Sequence, residues 1–107
     1  MGLWCDKQTE GHKRITAGCH EHGCVVIIQL NHTGYTANPE CGPAIGPSAV
    51  TRQGFHGEYT TIEMTVEEIH EMQKAFVDAA VRAKEAGYDG IQLHGCHGYL
   101  INQFMSP

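Results

Sequence analysis

Residues 24–30, Cys-Val-Val-Ile-Ile-Gln-Leu, are rich in β-branched side chains and apolar at positions of both parities. In an extended strand Val25, Ile27 and Gln29 share one face, while Val26, Ile28 and Leu30 share the other. A strand that is apolar on both faces is covered on both, the condition of a parallel sheet with helices packed against it. This run points to an α/β fold and away from a half-solvated antiparallel sheet.

The flanking segments agree. Gly11 to His22 reads as a helix ending at Gly23, with Gly18 a weak point of ~1 kcal/mol relative to Ala. Downstream, Thr65-Val66-Glu67-Glu68 is a capping box that opens a helix over about Thr65 to Ala86. Val66, Ile69, Met72, Phe76, Ala79, Ala80 and Ala83 recur at helical spacing and mark one apolar face. Acidic residues gather near its start and basic ones near its end, as the helix dipole favours, and Gly87 supplies the left-handed residue that ends it. Gly90-Ile91-Gln92-Leu93-His94 then reads as a second strand, and Leu100 to Phe104 as a last short helix. Two parallel strands joined through a helix make a right-handed βαβ unit. Between the first strand and the long helix lies an excursion over residues 31–64, which holds three of the four prolines and shows no periodicity. It reads as a long structureless loop leaving the C-terminal end of a strand, where α/β folds place active-site loops.

Composition removes several function classes. The 107 residues carry 12 acidic against 7 basic side chains, a formal charge of -5, with no basic stripe for a nucleic-acid backbone. The longest apolar run, Cys24 to Ile28, falls far short of the ~20 residues a membrane span needs. Met1 to Asp6 leads straight into polar residues rather than a secretory signal, so a cytoplasmic address is expected. Five cysteines (Cys5, Cys19, Cys24, Cys41 and Cys96) form an odd set without paired spacing and are expected as small buried hydrophobes or free thiols rather than a disulfide framework. Phosphate-loop, dinucleotide and serine-nucleophile motifs are absent from the sequence.

Strand parity supplies the first chemical inference. If the all-apolar set of each strand packs on helices, Gln29, Gln92 and His94 share the opposite side, with Gln29 and His94 near the strand ends. An amide and an imidazole placed there suit a bound planar ligand, and equally suit satisfied core polar groups. The second inference is His94-Gly95-Cys96-His97-Gly98-Tyr99. Histidines three apart converge on one small atom if the turn between them is tight, and the two glycines permit such a turn. Two imidazole donors suit a carbonyl oxygen that gains negative charge during reaction, and the Tyr99 phenol offers a proton for carbon. The same letters also fit a metal site or a polar turn. A third cluster, Cys19-His20-Glu21-His22-Gly23-Cys24, invites a zinc reading, but its spacing matches no ordinary finger or ribbon. Histidines in a last helical turn before a capping glycine explain it more simply.

A longer pattern runs through the chain. His20-Glu21-His22-Gly23, Gln29-Leu30-Asn31-His32-Thr33-Gly34, Gly46-Pro47-Ser48-Ala49-Val50, Met64-Thr65-Val66-Glu67-Glu68-Ile69 and Ala83-Lys84-Glu85-Ala86-Gly87-Tyr88-Asp89-Gly90 occur in that order. They lead into the stretch from His94 to Pro107. This resembles the old yellow enzyme family, the NADH:flavin oxidoreductase/NADH oxidase group of FMN-dependent ene reductases. The resemblance implies part of a (β/α)₈ TIM barrel, roughly the third and fourth strands with the intervening loop and helix, making residues 1–107 a fragment of one FMN-binding domain.

Carried over by resemblance, Gln29 hydrogen-bonds the flavin pyrimidine edge, His94 and His97 hold the substrate carbonyl oxygen, and Tyr99 protonates the substrate α-carbon. FMN is the implied cofactor, NADH or NADPH the reductant, and an enone or enoate the small-molecule substrate. Tyr35 departs from the pattern, standing where members commonly carry Arg after the His-x-Gly. A closed barrel takes ~250 residues, and the later family strands that bring an Arg to the flavin and a phosphate site have no counterpart in these 107 residues. The chain alone is therefore expected to bind FMN weakly or not at all, and a stoichiometrically yellow chain on purification would contradict this. Open sheet edges lead to an expectation of self-association or pairing with a complementary barrel fragment. The rival readings are a non-catalytic remnant or assembly module and a zinc module built on Cys19, His20, His22 and Cys24.

Overall fold

The computed structural model describes residues 2–38, 42–54 and 57–106; the expectation for Cys41 lies outside them. In chain order the elements are α1 (Thr9–Glu21), β1 (Ile27–Leu30), β2 (Ile45–Gly46), β3 (Thr51–Gly54), β4 (Gly57–Thr60), β5 (Ile62–Glu63), α2 (Val66–Glu85), β6 (Gly90–Leu93) and α3 (Leu100–Met105). Short 3₁₀ turns cover Asp6–Gln8 and Gly34–Thr36. The chain divides into two compact units, residues 1–30 with 70–93 and residues 31–69 with 94–107.

The first unit is the βαβ core. Strands β1 and β6 pair in parallel, Ile27 opposite Gly90 through Leu30 opposite Leu93. Leu30 is buried with Leu3 and Ala83, and Ile28, Phe76, Ala79, Ala80 and Tyr88 pack against them. The apolar face read for α2 thus reaches this core through Phe76, Ala79, Ala80 and Ala83. Val66 is the exception, being exposed. Gly87 (φ +88°) and Gly23 (φ +71°) end their helices in the left-handed conformation expected of them.

Polar ties fix the strand starts. The Asp89 carboxylate accepts the Val26 N–H at 2.8 Å and meets His20 Nε2 at 2.9 Å. Those two contacts, the backbone one first, hold its carboxyl below the usual carboxylate range. Buried His12 donates from Nε2 to the Gly2 carbonyl (3.1 Å) and accepts the Tyr88 hydroxyl at Nδ1 (2.8 Å). Burial pushes the Tyr88 phenol up.

Two sequence expectations need correction here. The first strand is shorter than Cys24–Leu30, and only one of its faces meets helices. Ile27 and Gln29 are exposed, as is Val25 at 77% just before the strand. The second strand ends at Leu93, so His94 lies beyond the sheet and strand parity does not set its direction. Leu30→Ala is expected to destabilise this unit by ~2–5 kcal/mol, because it empties the contact among Leu3, Ala83 and Phe76. A urea transition unchanged in midpoint would contradict that packing.

The second unit corrects the structureless loop. Strands β3 and β4 form an antiparallel hairpin, Thr51 opposite Thr60 and Arg52 opposite Tyr59. Strands β2 and β5 pair in parallel over two residues. Buried Thr61 ties them together, donating from Oγ1 to the Ser48 carbonyl (2.9 Å) and accepting the Val50 N–H (2.8 Å). The capping box holds as read: Glu68 Oε2 accepts the Thr65 N–H at 2.7 Å and Thr65 Oγ1 accepts the Glu68 N–H at 3.2 Å. The last helix, α3, starts at Leu100 as expected and runs one residue further, to Met105.

Candidate active site

The turn after β6 is built from its backbone outward. The Leu100 N–H donates to the His32 carbonyl at 3.0 Å, fixing the start of α3 to the segment after β1. Gly98 N–H donates to Asn102 Oδ1 (2.8 Å), and the Gln103 amide donates to the Gly98 carbonyl (2.6 Å) and the Thr33 carbonyl (3.3 Å). Gln103 is buried, so its carboxamide acts as a clamp between the turn and residues 33–35. A Cβ at Gly34 would run into that carboxamide, which explains glycine there beyond its φ of +59°.

The turn is tight at an unexpected place. Gly98 is left-handed (φ +69°), and so is His97 itself (φ +60°). A non-glycine residue there costs ~1 kcal/mol, and His tolerates it better than most. The result swings the His97 ring back onto His94. His97 Nδ1 lies 3.1 Å from His94 Nε2, with ring centroids 5.0 Å apart. The Tyr99 ring stands 5.2 Å from the His94 ring and 6.4 Å from the His97 ring, centroid to centroid. The sequence expectation that His94, His97 and Tyr99 gather is met in this geometry. Cys96, within the stretch whose letters also fit a metal site, is part of the same group, its Sγ 3.4 Å from His97 Nδ1.

Gln29 belongs to the other unit and is described with its own neighbours. Its Nε2 donates to Gln92 Oε1 at 2.6 Å, so the in-register pair of glutamines lies side by side on one face of the β1–β6 sheet. After that bond the Gln29 carbonyl oxygen and the remaining amide N–H groups still offer both an acceptor and donors. That donor set fits the imide edge of a flat heterocycle.

The zinc cluster read at residues 19–24 does not assemble. His20 is engaged with Asp89, and among the described residues these side chains form no metal-competent group; the group that does form is His94, Cys96 and His97. Cys5, Cys19, Cys24 and Cys96 are free thiols, and they are half-buried or exposed rather than buried hydrophobes.

Sequence reasoning missed Asn102, Gln103 and Arg52. The first two stand four and five residues after Gly98, the reach of one helical turn back onto its own N-terminal loop, and that spacing was the available signal. The Arg52 guanidinium stacks 4.0 Å over the Tyr35 ring, putting a cation beside the tyrosine that replaces the commoner Arg. Burial also pushes His32 toward its neutral form, while its Nδ1 accepts the Gly34 N–H.

The family described as "NADH:flavin oxidoreductase / NADH oxidase family" matches residues 1–107. The NADPH dehydrogenase of Clostridium acetobutylicum is 41% identical over 107 residues, covering 100% of this chain and 31% of the relative. The old yellow enzyme homologue of Zymomonas mobilis superposes with a TM-score of 0.84 at 29% identity, over 96% of this chain and 32% of that one. Morphinone reductase in complex with tetrahydroNAD gives 0.85 at 27% identity, over 98% and 34%. The chain thus spans about a third of the length of the proteins it matches.

Proposed function

The chain belongs to the NADH:flavin oxidoreductase / NADH oxidase family, and from that premise we propose that it supplies the substrate-polarising and proton-donating part of an FMN-dependent, NAD(P)H-driven reductase of activated alkenes. Its βαβ unit corresponds to part of the family's (β/α)₈ barrel, and FMN is the family's cofactor. FMN, when bound, supplies the hydride that adds to the β-carbon of an α,β-unsaturated carbonyl compound. Gln29, with Gln92 beside it, would hold the pyrimidine edge through the donor and acceptor left free by their mutual bond.

The single observation that carries the reading is the 3.1 Å approach of His94 Nε2 and His97 Nδ1 next to the Tyr99 ring. At that distance the two ring nitrogens share one hydrogen bond, and when each carries its proton both N–H groups can turn to a single acceptor placed against them. A carbonyl oxygen fits there, and it gains charge as the β-carbon is reduced, so the two N–H groups stabilise the enolate more than the ketone. Tyr99 then gives its phenolic proton to the α-carbon.

The test is a chimera in which this chain replaces the matching segment of the Clostridium acetobutylicum NADPH dehydrogenase. With FMN, NADPH and cyclohexenone under anaerobic conditions, NADPH oxidation that depends on the enone is the expected result. A folded, flavin-loaded chimera that reduces no enone would instead favour the assembly-module reading. One observation speaks for that second reading: apolar side chains stand exposed on both faces of the β1–β6 sheet, Ile27 at 61% on one and Leu93 at 57% on the other. They suit a covering partner, either a barrel segment or a second copy of the chain.

A further inference from the structure

We propose that His94, Cys96 and His97 form a binding site for a thiophilic divalent cation, Zn²⁺ in the first instance. Only the competition with substrate described below rests on the reading under Proposed function.

A tetrahedral Zn²⁺ with Zn–N bonds of ~2.05 Å and Zn–S of ~2.3 Å sets its nitrogen ligands ~3.3 Å apart and a sulfur ligand ~3.6 Å from each nitrogen. In the turn, His97 Nδ1 and His94 Nε2 are 3.1 Å apart, while Cys96 Sγ lies 3.4 Å from the first and 3.7 Å from the second. All three edges of the ligand triangle fall within about 0.3 Å of the tetrahedral values, so a cation seats there without rearranging the backbone. The left-handed backbone of His97 (φ +60°) and of Gly98 (φ +69°) belongs to the turn that brings the three atoms together. Cys96 and His97 are exposed and His94 is half-buried, so solvent reaches the group and supplies a fourth ligand. Two nitrogens and a thiolate select Zn²⁺ over Mg²⁺ or Ca²⁺, which take oxygen ligands.

Binding is a ligand exchange without redox change. Cys96 gives its thiol proton to solvent, both imidazoles offer lone pairs, and the six-coordinate aqua ion loses five of its waters, the sixth staying as the fourth ligand. The carbonyl role needs these same two nitrogens as N–H donors, whereas the metal needs them as lone pairs. One site cannot serve both at once, so Zn²⁺ and the enone exclude each other.

The test uses the full 107-residue chain, reduced with a phosphine, and Co²⁺ or Zn²⁺ alone as the probe. One equivalent of Co²⁺ is expected to give sulfur-to-cobalt charge transfer with tetrahedral visible bands, displaced by Zn²⁺. Cys96→Ala should abolish the charge-transfer band and weaken Zn²⁺ binding at least ~10-fold, since loss of an outer-sphere partner alone costs that much. Cys19→Ala and Cys24→Ala should leave both unchanged. A band that survives Cys96→Ala, or one lost in Cys24→Ala, overturns the assignment. If Cys96→Ala does not fold, the unmodified chain still decides. Zn²⁺ should slow iodoacetamide alkylation of Cys96 at least ~10-fold by peptide mass mapping while Cys24 reacts at its own rate, and equal rates with and without Zn²⁺ overturn the site. In the chimera Zn²⁺ should inhibit enone reduction competitively. Binding without inhibition would defeat the carbonyl role and leave the metal site standing.

Discussion

Tyr99→Phe in the chimera is expected to slow enone reduction by ~10²- to 10⁴-fold, the range a positioned proton donor contributes. The substitution keeps the ring that lies tilted beside His94, 5.2 Å between centroids, and removes only the hydroxyl. It leaves the turn untouched, since Tyr99 holds that turn through its backbone: its N–H donates to the Cys96 carbonyl at 3.2 Å and its carbonyl accepts from Gln103. The loss should therefore sit in the step that consumes the enone, with flavin reduction by NADPH and enone affinity near their starting values. A loss spread equally over both half-reactions would indicate a structural role for the phenol.

The second large effect concerns the imidazole pair. Removing one of two oxyanion donors costs ~10²- to 10³-fold in turnover, and the choice of variant matters because His97 is left-handed. His97→Ala mixes loss of the donor with backbone strain, whereas His97→Gly removes the ring from a conformation that glycine adopts freely. His97→Asn keeps an N–H donor and tolerates the same backbone, so it should retain most of the activity that His97→Gly loses. His94→Ala should resemble His97→Gly. The double variant should cost less than the product of the singles, because the two nitrogens face one oxygen. Full additivity would mean that they act on separate atoms.

How much of this could be read from the letters depends on how local each feature is. The capping box at Thr65 and Glu68 and the glycine stop at Gly87 are decided by residues within one helical turn, and the structure carries both as read. The β3–β4 hairpin was not legible, because its two strands are largely polar. Cross-strand contacts such as Thr51 Oγ1 to Thr60 Oγ1 at 2.9 Å hold it, rather than an apolar face that would show as periodicity. The Gln103 clamp was hidden for a different reason, since it joins residues 70 positions apart. At the site itself the spacing of His94 and His97 was enough to suggest convergence. Whether Cys96 joins them or only lines a polar turn was left open by the same letters, because the turn has a positive φ at a residue that is not glycine. Strand parity does not reach His94, because the strand read through it ends at Leu93.

The most direct measurement is the crystal structure of the oxidised chimera with cyclohexenone. The carbonyl oxygen is expected between His94 Nε2 and His97 Nδ1, ~2.7–3.2 Å from both, with the Tyr99 hydroxyl over the α-carbon. A carbonyl bound by neither imidazole, or a hydroxyl turned away from that carbon, would contradict it.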